Sequence, residues 1–243
     1  MEPTIISNFS PSAIVAKSFE IFGKRFLYFL CISVLVNLPA YLLTVFFFNT
    51  NDVSTFLSPT WLLANTAISL FVSAILTSSL IKITFETLRG GEASIKESLS
   101  VCVKYFFQVA LGSVFVIFLV VIGMVLLLIP GLIAAVRLYF TIPAIVVEDL
   151  SATDAMSRSN DLSDGYRWSI FAIVIGTGIV NAIVAKIIGS FFLPDQPALY
   201  FNCVYAFAAL FTPLVAIFQT VAYHDIRSVK EGVDIEQLAS VFD

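Results

Sequence analysis

Residues 129–151 read IPGLIAAVRLYFTIPAIVVEDLS, and this stretch decides how the chain folds. It begins with a Pro-Gly pair, continues as an apolar run that carries one arginine, Arg137, and ends in Glu148 and Asp149. A guanidinium stays charged at any accessible pH and offers five donors, so in apolar surroundings it needs several acceptors. What surrounds this run has to be inferred from the rest of the chain.

The composition is that of a membrane protein. The chain has 243 residues, of which 59% are hydrophobic on a count without glycine and 12% are charged. Soluble domains are about 45–50% apolar with glycine included and about 25% charged. This chain has too few polar side chains to cover a globule, so we expect its solvent to be lipid. No stretch is long and polar enough for a soluble catalytic domain, and we expect one membrane domain over residues 1–243.

Six apolar runs are long enough to cross a bilayer, which takes about 20 residues in a helix. They cover residues 26–48, 61–83, 105–128, 132–147, 169–192 and 199–223. The fourth run is the shortest, it contains both Arg137 and Pro143, and only the turn at Pro130 and Gly131 separates it from the third. A re-entrant pair in place of the third and fourth crossings is therefore an open alternative.

The basic residues predict the orientation, because lysine and arginine are retained on the cytoplasmic side. With the N-terminus inside, the outer loops 49–60, 129–131 and 193–198 carry none of the 13 basic residues. Those on the inner side are Lys17, Lys24, Arg25, Lys82, Arg89, Lys96, Lys104, Arg158, Arg167, Arg227 and Lys230. We therefore predict that both termini are cytoplasmic.

Three segments before the odd-numbered spans share one plan, a helix cap followed by an amphipathic stretch. They cover about residues 10–25, 94–104 and 151–167. Their caps are Ser10 with Pro11, Ser94 with Glu97, and Ser151 with Asp154. We interpret them as cytoplasmic elbow helices in the membrane interface. The predicted fold is all-α, with six transmembrane helices in three hairpins, each preceded by an elbow helix.

Four polar residues inside the predicted spans are the candidate site. Arg137, Lys186, Asn65 and Asn202 all lie within about six residues of the predicted outer ends, or ~9 Å at 1.5 Å per residue. Such residues usually face a bundle interior or a wet cavity. One interpretation is a site for an anionic lipid phosphate. In the other, Lys186 snorkels to the outer surface and Arg137 satisfies carbonyls near the Pro-Gly turn or pairs with Asp195.

No pattern indicates a metal, a cofactor or catalysis. The cysteines Cys31, Cys102 and Cys203 and the single histidine, His224, match no zinc-site spacing. There is no phosphate-binding loop and no nucleic-acid patch. We expect no cofactor, no enzymatic activity and no nucleic-acid partner, with membrane lipids as partners.

Two blocks carry a family resemblance. Residues 126–168, LLLIPGLIAAVRLYFTIPAIVVEDLSATDAMSRSNDLSDGYRW, resemble the signature of the membrane domain of bacterial glycerophosphoryl diester phosphodiesterases and of related inner-membrane proteins of the YciC type. The matching residues are Pro130, Gly131, Pro143, Glu148, Ala155, Ser157, Ser159, Gly165 and Trp168. Residues 216–236 are similar to the family's last span and its exit, at Tyr223, Asp225 and Arg227.

The resemblance implies a location and a rough role. In some members the membrane domain precedes a soluble barrel that holds the catalytic carboxylates and metal. These 243 residues contain no such barrel, so phosphodiesterase activity is not implied. We expect a non-catalytic protein of the bacterial inner membrane, a scaffold or partner-binding module in envelope or lipid-related processes. The alternative is a small transporter or lipid translocator, which a continuous polar cavity joining the four candidate residues would favour.

Overall fold

The computed structural model describes residues 11–47, 52, 54, 58–91, 95–192 and 196–231, and within these ranges the chain contains helices and no strand. In chain order we label the helices α1 (Pro11–Lys24), α2 (Phe26–Phe47), α3 (Pro59–Leu88), α4 (Ile95–Leu126), α5 (Leu128–Arg137), α6 (Thr141–Glu148), α7 (Ala152–Ser163), α8 (Arg167–Phe192) and α9 (Pro197–Glu231).

Six helical segments among these residues are long and apolar enough to cross a membrane, and they overlap the six predicted runs. They are Phe26–Phe47, Pro59–Leu88, Val103–Leu126, Leu128–Glu148, Arg167–Phe192 and Pro197–Glu231. Their length and composition are those of a multi-pass membrane protein.

Two of the predicted elbow segments correspond to separate helices. The first overlaps α1, which is divided from α2 at Arg25. The third overlaps α7, whose N-cap Ser151 accepts a hydrogen bond from the Asp154 amide at 3.3 Å. Ser10 lies outside the described residues, so its capping role stays a prediction.

The second predicted elbow, 94–104, is not a separate element. One continuous helix, α4, covers residues 95–126. No glycine or proline stands between Ile95 and Gly112, so nothing in the sequence ends the helix near residue 104. Ser94 and the side chain of Glu97 lie outside the described residues.

The fourth span is broken in the middle. α5 ends at Arg137, residues 138–140 form a turn, and α6 begins at Thr141. Both pieces lie along α4. A Cβ on Gly123 would lie 2.7 Å from the Gly131 Cα, and one on Gly112 would lie 2.9 Å from the Ile145 Cδ1. The two pieces therefore pack tightly against α4 on either side of the break.

Burial is uneven along the helices. Of α3, residues 74–88 contain nine buried side chains and residues 59–73 contain none. We call α1, α6, α7 and residues 74–88 and 213–231 the packed region. We call residues 38–47, 114–126 and 176–192 the exposed region, where Ala40, Thr44 and Gly123 are buried and the other residues are not. Exposed here means uncovered by the chain's own atoms.

Candidate functional site

Glu148, at the end of α6, is the centre of a polar cluster in the packed region. Its side chain is 15% exposed. Arg158 of α7 donates from Nε to Glu148 Oε2 at 2.9 Å and from Nη2 to Oε1 at 3.0 Å. The Tyr223 hydroxyl of α9 also donates to Glu148, and Arg227 Nε lies 3.6 Å from it. Arg158 and Arg227 both pair with Glu231 as well. The carboxylate thus ties α6 to both α7 and α9.

The electrostatics of this cluster indicate a structural role. Burial disfavours the charged form of Arg158, but the hydrogen bonds that it donates to Glu148 and Glu231 outweigh this and raise the pKa of Arg158 above its ordinary value. A guanidinium held charged in this way keeps its protons at any accessible pH. Donors from α7 and α9 occupy both Glu148 oxygens, so the carboxylate links the three helices.

The break in the fourth span is satisfied by side chains of two other helices. Ser159 of α7 is fully buried, accepts from the Phe140 amide at 2.9 Å and donates to the Arg137 carbonyl at 2.8 Å. Gln219 of α9 donates to the Tyr139 carbonyl. Irregular backbone in a membrane protein is tolerated where protein satisfies its polar groups. Ser159 and Gln219 therefore allow the span to be broken here.

A second polar group ties α1 to α9. Lys17 Nζ lies 2.8 Å from Asp225 Oδ1, and His224 Nδ1 lies 3.2 Å from the same oxygen. The His224 ring also packs edge-on against Phe85, with ring centroids 5.8 Å apart. Five residues that carry the resemblance therefore make contacts between separate elements of the chain: Glu148, Ser159, Tyr223, Asp225 and Arg227.

Arg137 lies at a cavity between α5 and the start of α8. The cavity measures about 480 Å³ and is lined by Arg137, Arg167, Trp168 and apolar side chains of both helices. Arg137 is exposed, and its guanidinium makes no hydrogen bond or ion pair within the described residues. Its carbonyl accepts from Ser159, whereas Asp195 lies outside the described residues. Among the residues that the structure describes, the Arg137 guanidinium is therefore a cation without an acceptor.

Asn65 lies at a different cavity, between α2, α3 and α9. This cavity measures about 300 Å³ and is also lined by Asn37, Trp61 and Tyr205. Asn202 is adjacent in sequence to the lining residue Phe201, and its Oδ1 accepts from the Tyr41 hydroxyl at 2.7 Å. The two asparagines therefore both lie near the cavity between α2, α3 and α9.

Lys186 lies on the exposed surface of α8 and lines neither of these cavities. Its carbonyl accepts from Ser190 at 2.8 Å, while its ammonium group has no partner within the described residues. The four candidate residues are thus distributed over three places: Arg137 at one cavity, Asn65 and Asn202 near another, and Lys186 on the open face of α8.

The sequence reasoning missed the neighbours of Arg137. Arg167 and Trp168 line the same cavity, and Trp168 is 84% exposed. A signal was available, because a basic residue followed by tryptophan at the start of a span is typical of the membrane interface. Arg167 was assigned only to the cytoplasmic side, and Trp168 only to the resemblance.

Among the residues that the structure describes, no group of three or more His, Cys, Asp or Glu side chains could hold a metal ion.

A family model described as Domain of unknown function (DUF7847) matches residues 26–225. No curated protein and no solved structure matches the chain. The family match gives no evidence for the phosphodiesterase membrane domain or the YciC-type proteins, so that resemblance stays a proposal.

Proposed function

We propose that this chain, which belongs to the family defined by the domain of unknown function DUF7847, is a non-catalytic multi-pass membrane protein that binds a helix of a partner protein along α8. The observation that carries the proposal is the outer face of α8. Only 11% of the most apolar stretch of this helix is buried, against 50% for α3. A transmembrane helix with so few contacts to its own chain has a face free for a partner.

Small residues follow one stripe on that face. Successive residues of an α-helix are ~100° apart, which places Gly178, Ala182 and Ala185 within ~60° of one another. All three are exposed, and no atom of another element lies within 4 Å of a Cβ placed on Gly178. Ile173 and Val180, on the opposite side, line a cavity with α1 and α9. Small residues let two membrane helices approach closely, so the stripe suits a partner helix.

Polar side chains flank the stripe on both sides. Asn181 lies ~40° to one side of it and Lys186 ~40° to the other, by the same helical spacing. Both are exposed, and neither side chain has a partner within the described residues. Polar groups at this position in an apolar helix usually hydrogen-bond across a helix interface. We therefore expect a partner helix that offers an acceptor to Asn181 and an acidic group to Lys186.

The charge argues against a second copy as the partner. Two copies in one membrane share an orientation, so a symmetric pair would bring the same patch of each together. The Lys186 ammonium groups would then approach each other, and the stripe contains no acidic residue to balance them. A different protein with a carboxylate in its span avoids this repulsion.

The location in the cell is part of the proposal. The distribution of basic residues supports cytoplasmic termini and three hairpins. The resemblance to the phosphodiesterase membrane domain supports the bacterial inner membrane and a role in envelope or lipid-related processes.

For the alternative function, a lipid translocator, the two cavities are the relevant observation. Arg137 and Asn65 line two cavities with no lining residue in common, which argues against translocation through a single cavity formed by these two.

The test is photo-crosslinking in native membranes. A photo-reactive amino acid at Ile179, which is 53% exposed beside the stripe, should give one protein adduct of discrete mass. Ala182→Leu should abolish that adduct because it fills the stripe. Asn181→Leu should lower it about threefold, the usual size of one interhelical hydrogen bond in a membrane.

The controls use equal changes at other exposed positions. The same photo-reactive residue at Phe118 of α4, which is 59% exposed, should label lipid and no discrete protein. Ala206→Leu enlarges an exposed alanine of α9 and should leave the Ile179 adduct unchanged. An adduct of twice the mass of this chain would mean that the helix bound to α8 belongs to a second copy of the chain and not to a different protein. Labelling of lipid alone at Ile179 would refute a partner on α8.

A further inference from the structure

The cavity between α5 and α8 combines two cationic side chains with apolar walls. Arg137 ends α5 and Arg167 begins α8, and both line the cavity together with Trp168. The rest of its wall is apolar and includes Leu132, Val136 and Phe171. This combination differs from the Glu148 cluster, where each arginine has a carboxylate partner.

The positive charge at this cavity is only partly balanced. Arg167 Nη2 lies 3.1 Å from Asp164 Oδ1, but Arg167 Nε is buried and has no hydrogen-bond partner in the described part of the chain. The Arg137 guanidinium has none within the described residues. Among the described residues the two guanidinium groups thus have a single carboxylate partner, Asp164, which pairs with Arg167 and is 70% exposed. Donors in apolar surroundings require acceptors, and a phosphate group offers several oxygens that suit the guanidinium fork.

The apolar part of the cavity fits an acyl chain. From Arg137 back to Ile129, α5 provides a wall of ~12 Å at 1.5 Å per residue. The cavity volume of about 480 Å³ is within the usual range for small-molecule sites. Trp168, at the level of the two arginines, is 84% exposed, and tryptophan concentrates where head groups meet the hydrocarbon. The cationic end therefore corresponds to a head group and the apolar wall to a tail.

We propose that this cavity binds one anionic phospholipid, with its phosphate between Arg137 and Arg167 and an acyl chain along Leu132, Val136 and Phe171. The site lies at the start of α8, and Arg167 precedes Gly178, the first residue of the small-residue stripe, by about three helical turns. It is independent of the proposed partner, since it involves none of the residues that would contact the partner helix.

The experiment uses the tryptophan at the site as the reporter. The chain has two tryptophans, so Trp61→Phe leaves Trp168 as the single fluorophore. The protein is reconstituted into phosphatidylcholine vesicles that contain a small fraction of either phosphatidylglycerol or phosphatidylcholine with brominated acyl chains, which quench tryptophan on contact. Brominated phosphatidylglycerol should quench Trp168 more strongly than the same fraction of brominated phosphatidylcholine.

The arginine variants test the site itself. Arg137→Leu and Arg167→Leu should each lower the preference for phosphatidylglycerol about tenfold, as expected for losing hydrogen bonds to a charged group. Arg137→Lys should give an intermediate loss, because lysine keeps the charge but not the fork. The matched control is Trp168→Phe with Trp61 retained, whose emission should show no preference between the two lipids.

Three results would overturn the proposal. Equal quenching by the two brominated lipids in the parent would exclude selection of the head group. An unchanged preference in either leucine variant would exclude a phosphate held by two guanidinium groups. Displacement of the lipid by inorganic phosphate in solution would identify a soluble anion as the occupant. A thermal unfolding curve of each variant in detergent confirms that the protein compared is folded.

Discussion

The packed region and the exposed region differ in whether the chain itself supplies partners for polar side chains. In the packed region, Glu148 is held by Arg158 and Tyr223, and Ser159 bridges the Arg137 carbonyl and the Phe140 amide. The Glu148 contacts join α6 to α7 and α9, and Ser159 joins α7 to the end of α5 and to the turn before α6. On the exposed part of α8, Asn181 and Lys186 have no side-chain partner within the described residues.

Polar side chains in this apolar chain therefore fall into two groups, according to whether another part of the chain binds them. A polar group that is costly in lipid persists where another part of the chain satisfies it, and it then fixes helix packing. Where an exposed polar group has no partner in the described part of the chain, water, a lipid head group or another protein is free to bind it. On this view the packed region is structural, whereas α8 and the Arg137 cavity are the surfaces to which we assign the proposed function.

The largest effect on stability is expected at Glu148. Glu148→Gln keeps the shape of the side chain but removes its charge beside Arg158 and Arg227. Breaking a buried ion pair from one side leaves an uncompensated charge, and we expect the free energy of unfolding to fall by about 3 kcal/mol. Thermal or denaturant unfolding in a fixed detergent measures the change.

The control is Glu20→Gln in α1. Glu20 pairs with Lys24 at 2.6 Å, but its side chain is 62% exposed, so its removal should barely change stability. Equal losses in the two variants would mean that burial in the packed region does not strengthen its ion pairs, and the comparison would fail.

A smaller loss is expected at Ser159. Ser159→Ala removes the hydroxyl that satisfies one carbonyl and one amide at the break between α5 and α6. Leaving buried backbone groups without partners should lower the free energy of unfolding by about 2 kcal/mol. Ser157→Ala is the matched control, because Ser157 is an exposed serine of the same helix. If the two alanine variants unfold alike, the break does not depend on Ser159.

The sequence predicted the spans better than it predicted their interiors. Long apolar runs locate membrane helices because each run must by itself cover the hydrocarbon thickness. That requirement is local, and the six segments overlap the predicted ones. The extension of α4 back to Ile95 was missed because amphipathic patterning near Ser94 was given more weight than the absence of a helix-breaking residue.

The break in the fourth span could not be predicted in the same way. Pro143 and Arg137 indicated an unusual segment, but the break lies between them and depends on Ser159 and Gln219, which come from distant parts of the chain. The candidate site shows the same limit. Counting residues from the span ends grouped Arg137 with Lys186 by depth alone, whereas Arg137 shares its cavity with Arg167 and Trp168. Arg167 begins α8 and Lys186 lies 19 residues further along it, so counting residues along one span does not give their position relative to another span.

The smallest effect on stability is expected at an ion pair whose atoms are close but whose side chains are exposed. This pair tests whether a short distance stabilises the protein without burial. Lys104 Nζ lies 2.8 Å from Asp149 Oδ2, with the two side chains 59% and 63% exposed. Asp149 has φ 58°, a left-handed conformation that asparagine also tolerates, so Asp149→Asn removes the charge without straining the backbone. We expect a much smaller loss of stability than for Ser159→Ala, because solvent screens an exposed pair.

The dependence of stability on pH and salt shows how much the ion pair of Lys104 and Asp149 contributes. The hydrogen bond from Lys104 lowers the pKa of Asp149 below its ordinary value. A group with a lowered pKa in the folded state stabilises the protein above its unfolded pKa, and that contribution is lost as the pH falls through the folded pKa. The difference in melting temperature between parent and Asp149→Asn should therefore be present at neutral pH, absent in acid well below an ordinary carboxyl pKa, and reduced by salt. A difference as large as that of Ser159→Ala, or one that persists in acid, would show that proximity alone sets the strength of a contact in this protein, and the distinction between the packed and exposed regions would have to be abandoned.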